Sequence, residues 1–301
     1  IFYGWLIVAM GFILMSIGWG IVYNTASLFL GPISEDYGFT RTQISYTMTL
    51  RALTQTLMAL FAGKIYRKIP IESSMKVMSL VLAGSYFLLS TSSQLWQFYL
   101  FTITSSLANF FLGLVPLSLV ISNWFVEKRG SALGFAFMGS GFGGMIFSSL
   151  AGRWIVQYGW ARTYQILAII MLVCTVPIVF FFMKENPQKL GLRPYGEKEE
   201  SFSVKKGIAF KEALSMPYFW FLGLISFSTA VCLHIVMISV APHLTEIGYD
   251  FTFAANILAL VMGGIAIGKL VLGYLFDRFS LRVAISLAAF GTLVGLVGLY
   301  F

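Results

Sequence analysis

Charged residues are scarce in this 301-residue chain, and their scarcity excludes an ordinary soluble domain. Asp, Glu, Lys and Arg make up 11% of the sequence, whereas 58% of the residues are hydrophobic and 17% are aromatic. Soluble domains carry about a quarter charged residues. The chain has 2 cysteines, and both Cys174 and Cys232 lie inside hydrophobic stretches, so no disulfide framework is expected. The composition predicts a membrane protein.

Acidic residues are missing from the interiors of the hydrophobic stretches. Nine stretches are each long enough for a helix of about 20 residues to cross a bilayer: 5–30, 43–66, 76–92, 95–122, 131–152, 163–183, 217–242, 252–275 and 283–301. Continuous apolarity favours helices over the alternating strands of a barrel. Away from the ends of these spans, the charged side chains are two cations, Arg51 and Lys269. A charge at membrane depth is costly and is usually retained for function, so the pattern indicates an anionic substrate.

The other cations lie mostly on one side of the predicted membrane. Segments that follow the even-numbered spans hold fifteen Lys and Arg residues, against Arg41, Arg153 and Arg162 on the opposite side. The positive-inside rule therefore places the loop 184–211 in the cytoplasm, with the protein in the plasma (inner) membrane. The net charge of +8 follows from this topology and does not indicate a nucleic-acid partner.

An internal repeat appears at an offset of 210 residues. Five pairs match in equivalent places: Pro32 with Pro242, Asp36 with Glu246, Gly38 with Gly248, Gly63 with Gly273, and Lys68 with Arg278. The predicted units are an N-terminal six-helix half at 1–183, a cytoplasmic linker at 184–211, and a partial C-terminal half at 212–301 with helices 7–9. Parallel six-helix halves are a known transporter architecture, so twelve helices are expected and the last three are expected to be missing.

Two loop motifs carry a family resemblance. The segment Gly273-Tyr-Leu-Phe-Asp277-Arg278-Phe-Ser-Leu-Arg282 resembles the cytoplasmic loop signature of the major facilitator superfamily. A gate is predicted there, in which Asp277 accepts hydrogen bonds from a neighbouring helix end and stabilises one conformation. The first copy, from Gly63 to Lys68, is assigned the same role, although Arg67 stands where the family has Asp.

Further segments narrow the resemblance. They are Asn123-Trp-Phe-Val-Glu-Lys-Arg-Gly130, Gly139-Ser-Gly-Phe-Gly-Gly144, Tyr158-Gly-Trp-Ala-Arg162, Leu190-Gly-Leu-Arg-Pro-Tyr-Gly196 and Gly268-Lys-Leu-Val-Leu-Gly273. In order and spacing they resemble the oxalate/formate antiporter and monocarboxylate transporter group. The resemblance implies a rocker-switch carrier in which Lys269 pairs with a substrate carboxylate. Members of the group usually have Arg at this position. Ile265 stands where proton-coupled members carry Asp, which disfavours carboxylate-based proton symport.

Helical spacing predicts further cavity residues. Arg51 is expected roughly 6 Å outside the midpoint of its helix, and Lys269 roughly 7 Å inside the midpoint of its own. Tyr23, Asn24, Gln55 and His234 lie on polar helix faces and are predicted to orient the substrate. Arg51 could instead snorkel to the interface, and His234 could be a neutral, hydrogen-bonded histidine. The row Ser140, Gly144, Ser148, Gly152 is assigned to helix packing.

The sequence therefore predicts an all-α membrane protein with the major facilitator fold of two six-helix pseudo-repeats. The predicted function is secondary transport of mono- or dicarboxylates by alternating access, as anion exchange in a monomeric carrier without metal or cofactor. Proton-coupled symport and transport of another small metabolite remain alternatives. A membrane enzyme is disfavoured because the spans hold no metal-ligand cluster or nucleophile–base pair, and a non-transporting receptor is a third class.

Overall fold

The computed structural model describes residues 2–197 and 210–279, together with positions 283, 286, 287, 290 and 291. The described chain is helical, with these elements: α1 (Tyr3–Val22), α2 (Leu30–Tyr37), α3 (Arg41–Lys68), α4 (Ile71–Ser90), α5 (Leu95–Leu112), α6 (Leu114–Trp124), α7 (Arg129–Pro177), α8 (Phe210–Ala213), α9 (Pro217–Glu246) and α10 (Phe251–Arg278). Short 3₁₀ turns span Ala26–Phe29 and Pro187–Leu190, and a π-helical turn at Ile178–Phe182 extends α7. Most of the predicted span 283–301, the residue Arg282 and positions 198–209 of the linker lie outside the described residues.

Among the described residues, six helical segments are long and apolar enough to cross a membrane. They are Tyr3–Tyr37, Ile71–Ser90, Leu95–Trp124, Arg129–Phe182, Pro217–Glu246 and Phe251–Arg278. The helix α3 has 28 residues and covers the predicted span 43–66, but its cations and its Thr and Gln side chains make it less apolar. The segment Arg129–Phe182 has 54 residues, about twice the length that a single crossing needs.

That long segment reverses direction at Gly159, whose φ of 80° and ψ of 163° are not helical. Before Gly159, α7 runs parallel to α1, because Gly139 packs on Phe12 and Gly143 packs on Ser16. After Gly159 it runs antiparallel to the N-terminal segment: Tyr164 stacks on Phe29, and the hydroxyl of Tyr3 donates to the carbonyl of Phe182 at 2.8 Å. The two predicted spans 131–152 and 163–183 are therefore both present, joined by a turn at one glycine.

Two of the predicted spans are interrupted inside the bundle. The first breaks after Val22, where Tyr23 to Thr25 leave helical hydrogen bonding before the 3₁₀ turn begins. The fourth breaks at Gly113, between α5 and α6. A methyl group at Gly113 would lie 2.6 Å from the indole nitrogen of Trp19, so the break also gives that ring its space.

The internal repeat extends to the helix boundaries. Both α3 and α10 are 28 residues long, and the start and end of one lie 210 positions from the start and end of the other. Gly38 and Gly248, which precede these helices, both have positive φ, at 67° and 97°. Thr40 forms a capping box with Gln43 at the start of α3, and Asp250 accepts two backbone N–H groups at the start of α10. The division into halves stays a prediction.

The first half of α7 lies between α1 and α10, and glycines set the distance. A methyl group at Gly143 would lie 2.0 Å from the carbonyl oxygen of Ser16 in α1. A methyl group at Gly141 would lie 2.6 Å from the backbone nitrogen of Ala266 in α10. Small residues let membrane helices approach closely. Side chains from α1, α7 and α10 are therefore brought together where the glycines cluster.

Candidate functional site

A cavity of about 320 Å³ lies where these helices converge. Residues from α1, the segment that follows it, α3, α7, α9 and α10 line it. All the predicted substrate residues are in its wall: Tyr23, Asn24, Arg51, Gln55, His234 and Lys269. The structure thus places side chains from both predicted halves around one cavity.

Arg51 is held at the break that follows α1. Its side chain is buried, at 6% exposure, and does not snorkel to the surface. One guanidinium nitrogen, Nη1, donates to the carbonyl of Val22, the last residue of α1. A cation is stabilising at a helix C-terminus, where carbonyl groups lack helical partners. The guanidinium also lies over the ring of Tyr23, 5.8 Å from its centroid, and its Nε has no hydrogen-bond partner among the described residues.

Lys269 enters the cavity from α10. Its ammonium group donates to the hydroxyl of Ser140 in α7. Ile265, one helical turn earlier, also lines the cavity. An acid at that position would therefore face the same space as Lys269.

Polar contacts hold the remaining predicted residues. The side-chain amide of Asn24 donates to the carbonyl of Ser140 at 2.7 Å. The hydroxyl of Tyr23 lies 3.3 Å from that of Ser106, and the amide of Gln55 donates to the carbonyl of Ser106 at 3.0 Å. Ser106 in turn donates to the carbonyl of Arg51 at 3.0 Å, so α5 ties α1 and α3 together beside the cavity.

His234 lies on α9 with an exposed side chain, and its Nδ1 is 2.9 Å from the carbonyl of Ala230. This contact lies within its own helix. It agrees with the neutral, hydrogen-bonded alternative as well as with a proton-carrying role.

Acidic side chains do not line this cavity in the described part of the chain. The described part of the chain forms the ion pairs Arg41–Glu246, Lys189–Glu72 and Lys189–Glu185 elsewhere in the protein, and none of these involves Arg51 or Lys269. Among the described residues, no group of three or more His, Cys, Asp or Glu side chains is arranged to hold a metal. The cavity wall therefore presents two cations without a protein counter-ion in 2–197 and 210–279.

Sequence reasoning missed Ser140, Ser106 and Trp19 as cavity neighbours. Ser140 lies in the small-residue row assigned to packing, yet it contacts both Asn24 and Lys269. Trp19 lies one helical turn before Tyr23 and stacks on it at 4.5 Å. The spacing of Trp19 from Tyr23 could have shown that both side chains lie on one face of the helix. A single Ser in a membrane helix gives no such signal, because most Ser side chains form hydrogen bonds within their own helix.

Two of the predicted gate residues, Gly273 and Asp277, lie where α10 meets the start of α7, at the end of the bundle that also carries segment 184–197. We call this the linker end. The carboxylate of Asp277 accepts the backbone N–H groups of Gly130 at 2.8 Å and Ser131 at 2.6 Å. A methyl group at Gly273 would lie 2.7 Å from the Gly130 carbonyl oxygen and 2.8 Å from the Cα of Gly134. A helix N-terminus with free N–H groups favours an anion, so Asp277 is well placed to hold α7 against α10.

The other gate residues show no such contact. Arg278 donates to the hydroxyl of Tyr274 within its own helix, and Arg282 lies outside the described residues. In the first copy, a methyl group at Gly63 would meet nothing within 4 Å, and Lys68 ends α3. The gating role of both motifs stays a prediction.

Comparison with known proteins settles the family. The sequence model described as Major Facilitator Superfamily matches residues 4–301. The chain belongs to the major facilitator superfamily. It is a polytopic integral membrane protein, and its fold and relatives are those of transporters rather than enzymes. A bacterial homologue of the human lysosomal transporter Spinster, in an inward-facing and unoccupied conformation, shares the fold with a TM-score of 0.71 at 17% identity. That alignment covers 93% of this chain and 64% of the solved chain.

Relatives within the superfamily are distant. The uncharacterized MFS-type transporter YhjX of Escherichia coli K12 is 26% identical over 97% of this chain and 71% of its own length. The uncharacterized transporter ESBP6 of Saccharomyces cerevisiae is 22% identical over 92% of this chain and 42% of its own length. The riboflavin transporter RibJ of Trypanosoma cruzi is 26% identical over 62% of this chain and 40% of its own length. The chain thus spans less than half the length of the yeast and trypanosome relatives.

Proposed function

We propose that this transporter carries small organic anions, mono- or dicarboxylates, and that Lys269 and Arg51 bind the carboxylate. The observation that carries the proposal is the cavity wall with two cations and, among the described residues, no acid. Unpaired charges at membrane depth are costly, and a bound anion offsets that cost. The resemblance to the oxalate/formate antiporter and monocarboxylate transporter group supports the same substrate class.

The donors available to a carboxylate support this assignment. Lys269 gives a single hydrogen bond to Ser140, and an ammonium group has further N–H donors. Arg51 keeps its Nε without a partner among the described residues. The side chains of Tyr23, Asn24, Gln55 and His234 stand in the same wall and would orient the organic part of the substrate.

Anion exchange is the transport mode that we infer. An empty site would leave two cations without a counter-ion while the halves move, which disfavours return without cargo. Proton-coupled symport is the alternative, with His234 as the proton carrier. Ile265 in the cavity wall supports exchange, because the acid that proton-coupled relatives carry is absent from that position.

A second candidate is a carrier of flat, ring-containing metabolites. The stacked rings of Trp19 and Tyr23 stand in the cavity wall, with centroids 4.5 Å apart. Aromatic faces pack well on planar ring systems. One relative bears the name riboflavin transporter, which adds a specific compound to test.

The remaining assignments are also proposals. We place the loop 184–211 in the cytoplasm because cations concentrate on that side, and we propose the plasma (inner) membrane as the protein's location. The carrier would act as a monomer with an N-terminal half at 1–183 and a C-terminal half from 212.

The test is a thermal-shift and binding screen of mono- and dicarboxylates, with riboflavin as an additional ligand, on the purified full-length protein. Lys269→Ala should weaken carboxylate binding about tenfold to a hundredfold, because a hydrogen bond to a charged group contributes about 1.5–3 kcal/mol. Lys64→Ala is the matched control, since Lys64 lies on α3 outside the cavity wall. Unchanged carboxylate binding in Lys269→Ala would overturn the assignment.

Reconstituted liposomes separate the transport modes. Exchange predicts rapid uptake only when the vesicles are loaded with an anion. Equal uptake into empty vesicles would exclude obligatory exchange, and stimulation by a pH gradient would favour the symport alternative.

A further inference from the structure

Ser140 connects α7 to α10 and to the segment after α1 at the wall of the cavity. It lies on α7 with 3% of its surface exposed. Its backbone carbonyl accepts the side-chain amide of Asn24 from the segment after α1, at 2.7 Å. Its hydroxyl accepts the ammonium group of Lys269 from α10. No other residue in the described hydrogen-bond network contacts both of these candidate substrate residues.

The direction of the hydroxyl hydrogen bond is fixed by the local helix. The Ser140 hydroxyl donates its own hydrogen to the carbonyl of Phe137 at 3.0 Å. The remaining lone pairs of the oxygen therefore point away from that carbonyl and can only accept. Lys269 supplies a donor at that place, so the two groups match in both charge and hydrogen-bonding role.

The backbone around Ser140 leaves little freedom for this contact. Neighbouring glycines bring α1 and α10 against α7, and a methyl group at Gly144 would lie 2.3 Å from the side-chain nitrogen of Asn24. A methyl group at Gly141 would lie 2.6 Å from the carbonyl oxygen of Met262 in α10. In this conformation the close packing fixes the separation of the helices, so the Ser140 oxygen is a defined reference point for the flexible lysine chain.

We propose that Ser140 is a positioning residue for substrate binding: its hydroxyl holds the Lys269 ammonium on the α7 wall, so that the remaining N–H donors face the cavity. The inference rests on the proposed function, in which Lys269 binds a carboxylate. Without the serine, the four-carbon side chain samples several rotamers, and the substrate must order it on binding at an entropic cost.

The hydrogen bond also crosses the predicted boundary between the halves, since Ser140 lies in 1–183 and Lys269 in 212–301. The cation of one half is thus placed by a residue of the other. Rocking of the halves would move the ammonium relative to its own helix, and this links the position of the charge to the conformation of the carrier.

The test compares Ser140→Ala with Ser140→Cys and Ser140→Thr in liposome uptake of a carboxylate that binds the wild-type protein. Ala and Cys remove the oxygen acceptor, and Cys keeps the size of the side chain. Both should raise KM about tenfold and leave Vmax within about twofold, whereas Thr keeps the hydroxyl and should restore a low KM. Ser148→Ala is the matched control: Ser148 is fully buried on the same helix and donates to the backbone carbonyl of Asn24, but it does not line the cavity.

A double-substitution cycle distinguishes positioning of Lys269 from a general loss of packing, because it measures whether the effects of Ser140→Ala and Lys269→Gln on KM are additive. In a Lys269→Gln background, Ser140→Ala should cause no further rise in KM, because the ammonium group that it positions is gone. Additive effects of Ser140→Ala and Lys269→Gln, or equal effects of Ser140→Ala and Ser148→Ala, would overturn the inference. If Lys269→Gln alone leaves carboxylate binding unchanged, the proposed function fails; if it weakens binding and Ser140→Ala does not, only this inference fails.

Discussion

Two contacts between the predicted halves, one at each end of the helix bundle, differ in physical kind. At the linker end, α10 and α7 touch through backbone, with Gly273 against Gly130 and Gly134, and Asp277 accepts two backbone N–H groups. At the opposite end, Arg41 at the start of α3 pairs with Glu246 at the end of α9. These two side chains are 60% and 55% exposed.

The difference indicates how much each contact contributes to holding the predicted halves together. Contact between glycines depends on shape, and any added side chain must push the helices apart. An exposed ion pair contributes about 0–1 kcal/mol and is screened by salt. The backbone contact at the linker end is therefore expected to tolerate substitution poorly, whereas loss of the Arg41–Glu246 pair is expected to cost little.

The largest effect is expected for Gly273→Ala. The added methyl group would overlap the backbone of Gly130 and Gly134, and overpacking of this kind costs about 1–3 kcal/mol. We expect a fall in Tm of about 5 °C in detergent, with loss of transport. Gly84→Ala is the control: it adds a methyl group that meets nothing within 4 Å on α4 and should leave Tm unchanged or slightly higher. Equal shifts for the two variants would contradict the packing argument.

Gly63→Ala extends the same measurement to the first copy of the loop motif. Its surroundings are open among the described residues, so it should behave like Gly84→Ala. A fall in Tm as large as that of Gly273→Ala would instead indicate that Gly63 packs against a partner outside the described residues.

A moderate effect is expected for Asp277→Asn. The amide keeps one acceptor oxygen but loses the charge and leaves one N–H at the start of α7 without its partner. A charged cap at a helix N-terminus contributes about 1 kcal/mol, so the open form of the linker end should rise roughly fivefold. Labelling of a cysteine placed at Ser131 by an impermeant maleimide measures this population in a background without the native cysteines. Asp250→Asn, a cap within α10 itself, should leave the labelling rate unchanged.

The smallest effect is expected at the Arg41–Glu246 pair. Arg41→Glu or Glu246→Arg should change the uptake rate less than about fivefold at low salt, and 0.5 M salt should remove the difference. The double exchange, Arg41→Glu with Glu246→Arg, should restore the original rate. If either single substitution abolishes uptake at both salt concentrations, the two ends do not differ in the way that we describe.

Several candidate site residues could be predicted because exposing a polar side chain to lipid is costly, so such side chains face the interior of the helix bundle. Arg51, Lys269, Asn24 and Gln55 stand out against hydrophobic neighbours, and they turn towards the cavity, as buried polar residues in membrane proteins do. The same reasoning did not find the hydrogen bond from Arg51 to Val22, since the break in α1 has no strong sequence signal. It also gave Ser140 only a packing role, because its partners come from helices far away in the chain.

Composition and spacing along the chain were enough to predict that it spans a membrane, that matching residues recur at an offset of 210, and that cations outnumber acids at membrane depth. These properties depend on composition and on spacing along the chain, which hydropathy and a constant offset reveal. The three-dimensional contacts were needed to show that Gly159 reverses the long helix, that Asp277 caps α7, and that Ser140 lies between Asn24 and Lys269. Those contacts depend on how closely helices approach. The glycines that permit the approach can be seen in the sequence, but their positions do not reveal which residues come into contact.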